Sequence, residues 1–122
     1  MHHMSRPFIR PVPMTEQALQ RQCLDFLRLK YGSRAFVRKV PVGPMMVQPR
    51  PGEVAHAKNP LAGFPDILIC LGGKFIGIEV KLPGGRISPI QAITHDAIRE
   101  AGGIVHVIHS LDELMQAFEG IR

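Results

Sequence analysis

Between residues 63 and 81 two apolar runs flank a pair of glycines, and the rest of the chain reads as support for that stretch. Ile67-Leu68-Ile69-Cys70-Leu71 is the first run, Gly72-Gly73 the break, and Phe75-Ile76-Gly77-Ile78 the second. Two glycines between strand-like residues predict a β-hairpin with a tight two-residue loop. With that loop Leu71 faces Lys74, and counting back along the ladder sets Asp66 opposite Glu79. Both acids then share one face of the sheet, and Lys81, two residues past Glu79, joins them. The reverse face carries Ile67, Ile69, Ile76, Ile78 and Val80 and is expected to be core.

Helical periods bracket the hairpin. Thr15 suits an N-cap, Glu16 to Lys30 has an apolar stripe of Leu19, Cys23, Phe26 and Leu27, and Gly32 closes the helix. Glu16 falls in line with that stripe. It reads either as a first-turn acid for the helix dipole or as a third site carboxylate. Arg34 to Val42 reads as a first strand with a basic cluster at Arg34, Arg38 and Lys39. After the hairpin, Ser88, Pro89 and Gln91 give the cap, first position and capping-box partner of a helix running to about Glu100. Its apolar positions Ile90, Ile93, Ala97 and Ala101 are expected to be buried, with Gly102-Gly103 as the stop. Ile104 to Ile108 is a strand, and Ser110-Leu111-Asp112-Glu113 opens a last helix with a second capping box. The order is αβββαβα, a mixed four-stranded sheet flanked by helices.

Two stretches stay outside this pattern. Residues 1–14 are a proline-rich, extended lead-in. The proline- and glycine-rich connection 41–60, which holds Arg50, His56 and Lys58, is either a surface loop near the site or a disordered one.

The chain has 122 residues, 45% of them hydrophobic, which fits one domain. A net charge of +5 favours a polyanionic partner. Cys23 and Cys70 read as buried small hydrophobes with no disulfide or zinc spacing, which points to a reducing compartment. No apolar run is long enough for a membrane span, and no signal peptide is visible.

The facing acids carry the chemical argument. Directly opposed like charges destabilise a strand pair. A bound divalent cation would remove the conflict, with Asp66 and Glu79 as hard oxygen ligands and Lys81 beside them. The alternative is an ion pair of Lys81 with either acid at a strand end. His95, His106 and His109 read as ordinary surface or strand histidines.

The wording Gly63-Phe64-Pro65-Asp66-Ile67-Leu68, then Ile78-Glu79-Val80-Lys81-Leu82-Pro83-Gly84-Gly85-Arg86-Ile87-Ser88-Pro89-Ile90-Gln91, then Ala101-Gly102-Gly103-Ile104-Val105, resembles the VRR-NUC family of the PD-(D/E)xK nuclease superfamily. The resemblance covers residues 63 to about 118 well, Glu16 to Gly32 loosely, and 33–62 only in general character. It implies metal-dependent phosphodiester hydrolysis with Mg²⁺ or Mn²⁺. By the same resemblance Asp66, Glu79 and the main-chain carbonyl of Val80 would hold the metal, and Glu16 would reach it through water. Lys81 would be the catalytic lysine. Gln91 corresponds to a site glutamine, and its capping-box role stands beside that reading. Arg86, Arg34, Arg38, Lys39 and Lys58 are candidates for DNA-backbone contacts. Short free-standing members resemble Holliday-junction resolvases, which implies branched DNA as substrate, a homodimer, and a cytoplasmic setting in a bacterial or phage-infected cell. A non-catalytic DNA-binding module and a restriction-like duplex endonuclease are the alternatives.

Overall fold

The computed structural model describes residues 13–43, 51 and 59–122. In chain order they form α1 (Glu16–Tyr31), a 3₁₀ turn (Gly32–Arg34), β1 (Ala35–Lys39), β2 (Ile67–Leu71), β3 (Lys74–Val80), α2 (Pro89–Glu100), β4 (Ile104–Ile108) and α3 (Leu111–Ala117). This is the αβββαβα order expected from the sequence. The strands form one sheet in the order β1-β2-β3-β4. The first two pairings are antiparallel, and β3–β4 is parallel with α2 as its crossover.

The hairpin register is the expected one, with Leu71 paired to Lys74 and Ile67 to Ile78. Gly72 and Gly73 have φ of 59° and 76°, the left-handed pair that a twisted two-residue loop requires. One face of the sheet presents Val37, Ile67, Ile69, Ile76, Ile78 and Val80. It packs on Leu19, Cys23, Leu24 and Leu27 of α1 and on Leu114 and Phe118 at α3. Each fully buried aliphatic side chain here contributes about 1.5–3 kcal/mol.

The opposite face carries α2 over β3 and β4, and here the packing departs from the sequence expectation. Ile90 and Ile93 are 53% and 70% exposed, and Ala97 and Ala101 also stay out of the core. The residue α2 buries is His95. The helix is rotated because a buried carboxylate on β3 asks for a polar partner, which the isoleucine stripe cannot offer. Cys70, expected to be buried, is exposed on the part of β2 that α2 leaves uncovered. Cys23 is buried, and burial pushes its thiol up to about 11.

The first strand is shorter than the stretch 34–42 suggested. Beyond Lys39 one more contact follows, Val40 N–H to the Asp66 carbonyl at 2.8 Å. Pro41 then lacks the N–H needed to continue the ladder. Asn59 ties the chain after β1 to the chain before β2. Its Nδ2 donates to the carbonyls of Pro41 (2.5 Å) and Gly43 (2.8 Å), and its Oδ1 accepts from Leu61 N–H (2.9 Å). Arg50, His56 and Lys58 lie outside the described residues, as do residues 1–12 of the lead-in.

Candidate active site

The site sits where β2 begins and β3 ends. Pro65 precedes Asp66 and stacks over Gly77 of β3, where an added Cβ would lie 2.6 Å from Pro65 Cγ. Gly63, at φ 84°, lies so close to α2 that a Cβ would come within 2.8 Å of the Ile90 carbonyl. The Gly63-Phe64-Pro65-Asp66 run is therefore shaped by two close approaches, one to the sheet and one to the crossover helix. Together they fix the entry of Asp66 into the strand.

Asp66 is 7% exposed and Glu79 1% exposed. Asp66 Oδ2 accepts the Val80 N–H at 2.8 Å. Glu79 Oε1 lies 3.0 Å from His95 Nε2. One oxygen of each acid is thus anchored by the protein. Burial, followed by a hydrogen bond to Asp66 and the charge of Asp66, pushes Glu79 up to about 9. Glu16 adds to the rise, and Lys81 opposes it. Two carboxylates forced together in a buried place make a locus that favours added positive charge.

Lys81 continues β3 by one step, its N–H donating to the Ile108 carbonyl at 3.0 Å. That places its half-buried side chain on the Glu79 face. Glu16 occupies the first turn of α1 but is exposed, outside the buried Leu19–Cys23 face. It acts on Glu79 through its charge.

Gln91 completes a reciprocal capping box. Its Oε1 accepts the Ser88 N–H at 2.8 Å, while Ser88 Oγ accepts the Gln91 N–H at 3.2 Å. The carbonyl end of its side chain is therefore committed to the cap, and its amide N–H₂ end is left to donate elsewhere. The second box is only half formed. Ser110 caps α3, but Glu113 reaches the His109 N–H at 2.6 Å instead of the Ser110 N–H.

The basic residues separate. Strand alternation sends Arg38 to the face of Asp66 and Lys39 to the α1 face. Arg38 stacks over Phe36 at 4.3 Å. Arg34 lies at the hairpin end of β1, about 20 Å along the strand from Asp66 at the usual rise per residue, with its guanidinium over Tyr31. Arg86 is exposed, just beyond the turn that follows Lys81. Arg21 and Arg28, which were not among the sequence candidates, join Lys39, Gln17, Gln20 and the acid Asp25 around a hollow of about 450 Å³ between α1 and β1. Their spacing of seven on one helix face was the available signal.

His95 is the other residue whose place the sequence did not reveal. It is fully buried, and its Nδ1 has no hydrogen-bond partner among the described residues. Burial, then the charge of Arg99, pulls it below the ordinary histidine range. A neutral imidazole carries its proton on one nitrogen only, and Nε2 is the nitrogen that faces Glu79 Oε1. The legible clue was phase, since His95 is one turn beyond Gln91 on the face already turned toward the sheet.

Among the described residues no three His, Cys, Asp or Glu side chains are arranged to hold a metal ion. Two carboxylates with a main-chain carbonyl nearby nonetheless suit magnesium, which commonly takes one or two carboxylates and completes its shell with water and phosphate. The crowding of Asp66 and Glu79, which raises the cost of ionising Glu79, is the observation that fits such a cation.

No helix among the described residues is long and apolar enough to cross a membrane. No protein-family model and no curated protein matches the chain. Among solved structures, one described as a VRR_NUC domain superposes with a TM-score of 0.58 at 22% identity, over 88% of this chain and 97% of that one. The likeness is one of architecture, and the chain has the fold of a VRR_NUC domain.

Proposed function

We propose that this protein is a divalent-metal-dependent DNA endonuclease of the VRR-NUC type, acting on branched DNA such as four-way junctions. The observation that carries the reading is buried Asp66, immediately before β2, brought against buried Glu79 of the neighbouring strand β3, with Lys81 on the same face. The VRR_NUC fold supports it.

In this reading Asp66, Glu79 and the Val80 carbonyl hold Mg²⁺ or Mn²⁺, and Glu16 contributes through water. The ion, when bound, supplies Lewis acidity and a lowered pKa for a bound water. Lys81 would position the attacking water and offset charge at the scissile phosphate. Gln91 turns its free amide toward the same space while its carbonyl stays in the cap. Arg86, Arg38 and Lys39, joined by Arg21 and Arg28, contact the DNA backbone and supply affinity without sequence readout. One chain carries one such site, and a symmetric homodimer is the simplest assembly that cuts two strands.

The test is a cleavage panel of duplex, flap and four-way junction in Mg²⁺ and in Mn²⁺, with the molecular mass measured in solution. Branched substrates are expected to be cut, and Asp66→Ala, Glu79→Ala and Lys81→Ala to abolish cutting while keeping most DNA affinity. A wild-type protein that cuts none of these substrates overturns the reading. Sequence-specific cleavage of plain duplex would favour a restriction-like enzyme instead. Junction affinity without any metal uptake would favour a non-catalytic binding module.

A further inference from the structure

We propose that His95 is a positioning residue that holds the Glu79 carboxylate in its working orientation through an Nε2–H···Oε1 hydrogen bond. The inference rests on the reading of Glu79 as a metal ligand.

The contact is 3.0 Å long, between side chains that are 0% and 1% exposed. Water does not compete for it. His95 comes from the middle of α2, whose first turn is locked by the Ser88–Gln91 box and whose backbone lies against Gly63. The imidazole is thus delivered to β3 by a helix fixed at its start, with one nitrogen fully committed to Glu79. With Oε1 restrained, the carboxylate cannot rotate freely, and its second oxygen is the one presented away from α2.

The other imidazole nitrogen supports a role beyond filling space. Nδ1 is buried without a partner among the described residues. An apolar side chain of similar size would avoid the cost of such an orphaned atom. The position tolerates that loss because the Nε2 donor is needed on Glu79. Hydrogen bonds behind a ligand of this kind typically account for about 10–100-fold in metal affinity.

Two measurements test the proposal. In the metal-free protein, ¹⁵N-edited NMR is expected to show a slowly exchanging His95 Nε2–H that is lost in Glu79→Ala. Its absence from the wild type overturns the proposal, whatever the protein does with metal. In Mn²⁺ titration calorimetry, His95→Leu, which keeps bulk but has no donor, is expected to bind about 10–100-fold more weakly. His95→Gln, whose amide can replace the Nε2 donor, is expected to recover most of that loss. Thermal unfolding in EDTA checks that both variants are folded. Equal Mn²⁺ affinity in His95→Leu and wild type, or no recovery in His95→Gln, overturns the positioning role. A wild type that takes up no Mn²⁺ at all overturns the metal-dependent reading instead, and the NMR signal still decides whether His95 holds Glu79.

Discussion

Pro65 rests on the bare Cα of Gly77, one strand away and immediately beside the residue that delivers the first acid to the site. An added Cβ would stand 2.6 Å from Pro65 Cγ and 2.9 Å from its Cβ. A proline ring cannot swing aside as a flexible side chain would. Gly77→Ala is therefore expected to destabilise the fold by about 1–3 kcal/mol through overpacking. Pro65→Ala should relieve much of that, so the double variant should be more stable than the sum of the single losses predicts. Thermal unfolding of the four proteins measures the coupling, and simple additivity would count against the contact.

The buried acid pair sets function against stability. Burial and Asp66 keep Glu79 protonated up to about 9, so at neutral pH the fold bears the cost of holding that proton far above the ordinary 4.5. Glu79→Gln removes the cost and Asp66→Asn lessens it, while the amide oxygen of Asp66→Asn can still accept the Val80 N–H. Both variants are expected to melt higher than wild type in EDTA, by about 4 °C for each kcal/mol recovered. Both should lose cleavage. Adding Mg²⁺ should raise the wild-type melting temperature, by an amount set by occupancy, and should leave the two variants nearly unmoved. A wild type more stable than both variants in EDTA would sink this account.

Acid sensitivity is expected at the start of α3. The His109 backbone N–H, and then its imidazole, hold Glu113 below the ordinary glutamate value of 4.5. As pH falls the unfolded chain therefore takes up this proton first. The stabilisation is fully present above the unfolded value and disappears as pH drops through the folded one. The Glu113 side chain is exposed, so the effect is small and screened by salt. Glu113→Gln should flatten the acid limb of a melting-temperature profile below the ordinary glutamate value and leave the neutral region nearly unchanged. An unaltered acid limb would show that the contact contributes nothing.

The cations around the α1–β1 hollow are expected to behave differently from Arg34. Arg21→Ala, Arg28→Ala and Lys39→Ala should each weaken DNA binding about equally across sequences and reduce the salt slope by roughly one counterion. Arg34→Ala should leave the slope unchanged, because that guanidinium covers Tyr31 at the far end of the sheet. Binding titrations across a salt series separate the two groups. Equal slopes for all four variants would remove the hollow from the DNA path.

The hairpin was legible because its information is local. Two glycines fix the loop, the loop fixes the register, and the register brings Asp66 and Glu79 together without reference to the rest of the chain. The helix boundaries were legible for the same reason, through Thr15, Ser88, Ser110 and their partners. The facing of α2 was not. Ile90, Ile93, Ala97 and Ala101 form a persuasive apolar stripe, and hydrophobicity alone turns it inward. What turns the helix the other way is a tertiary demand, the buried Glu79 and its need for a donor. That demand appears only once β3 and α2 are set side by side. Arg34, Arg38 and Lys39 show a related limit, since neighbours in sequence were divided by strand alternation and strand length.

The contacts of Asn59 have a topological consequence. Because one amide binds Pro41 and Gly43 while its oxygen holds Leu61, the chain leaves the sheet and returns to it through a single gate. The two ends of the connection between residues 43 and 59 are thus fixed to each other by Asn59 itself. Closing such a gap depends only weakly on its length. A change in the length of that connection is therefore expected to cost the β1–β2 pairing and the acid pair little, as long as the Asn59 contacts hold.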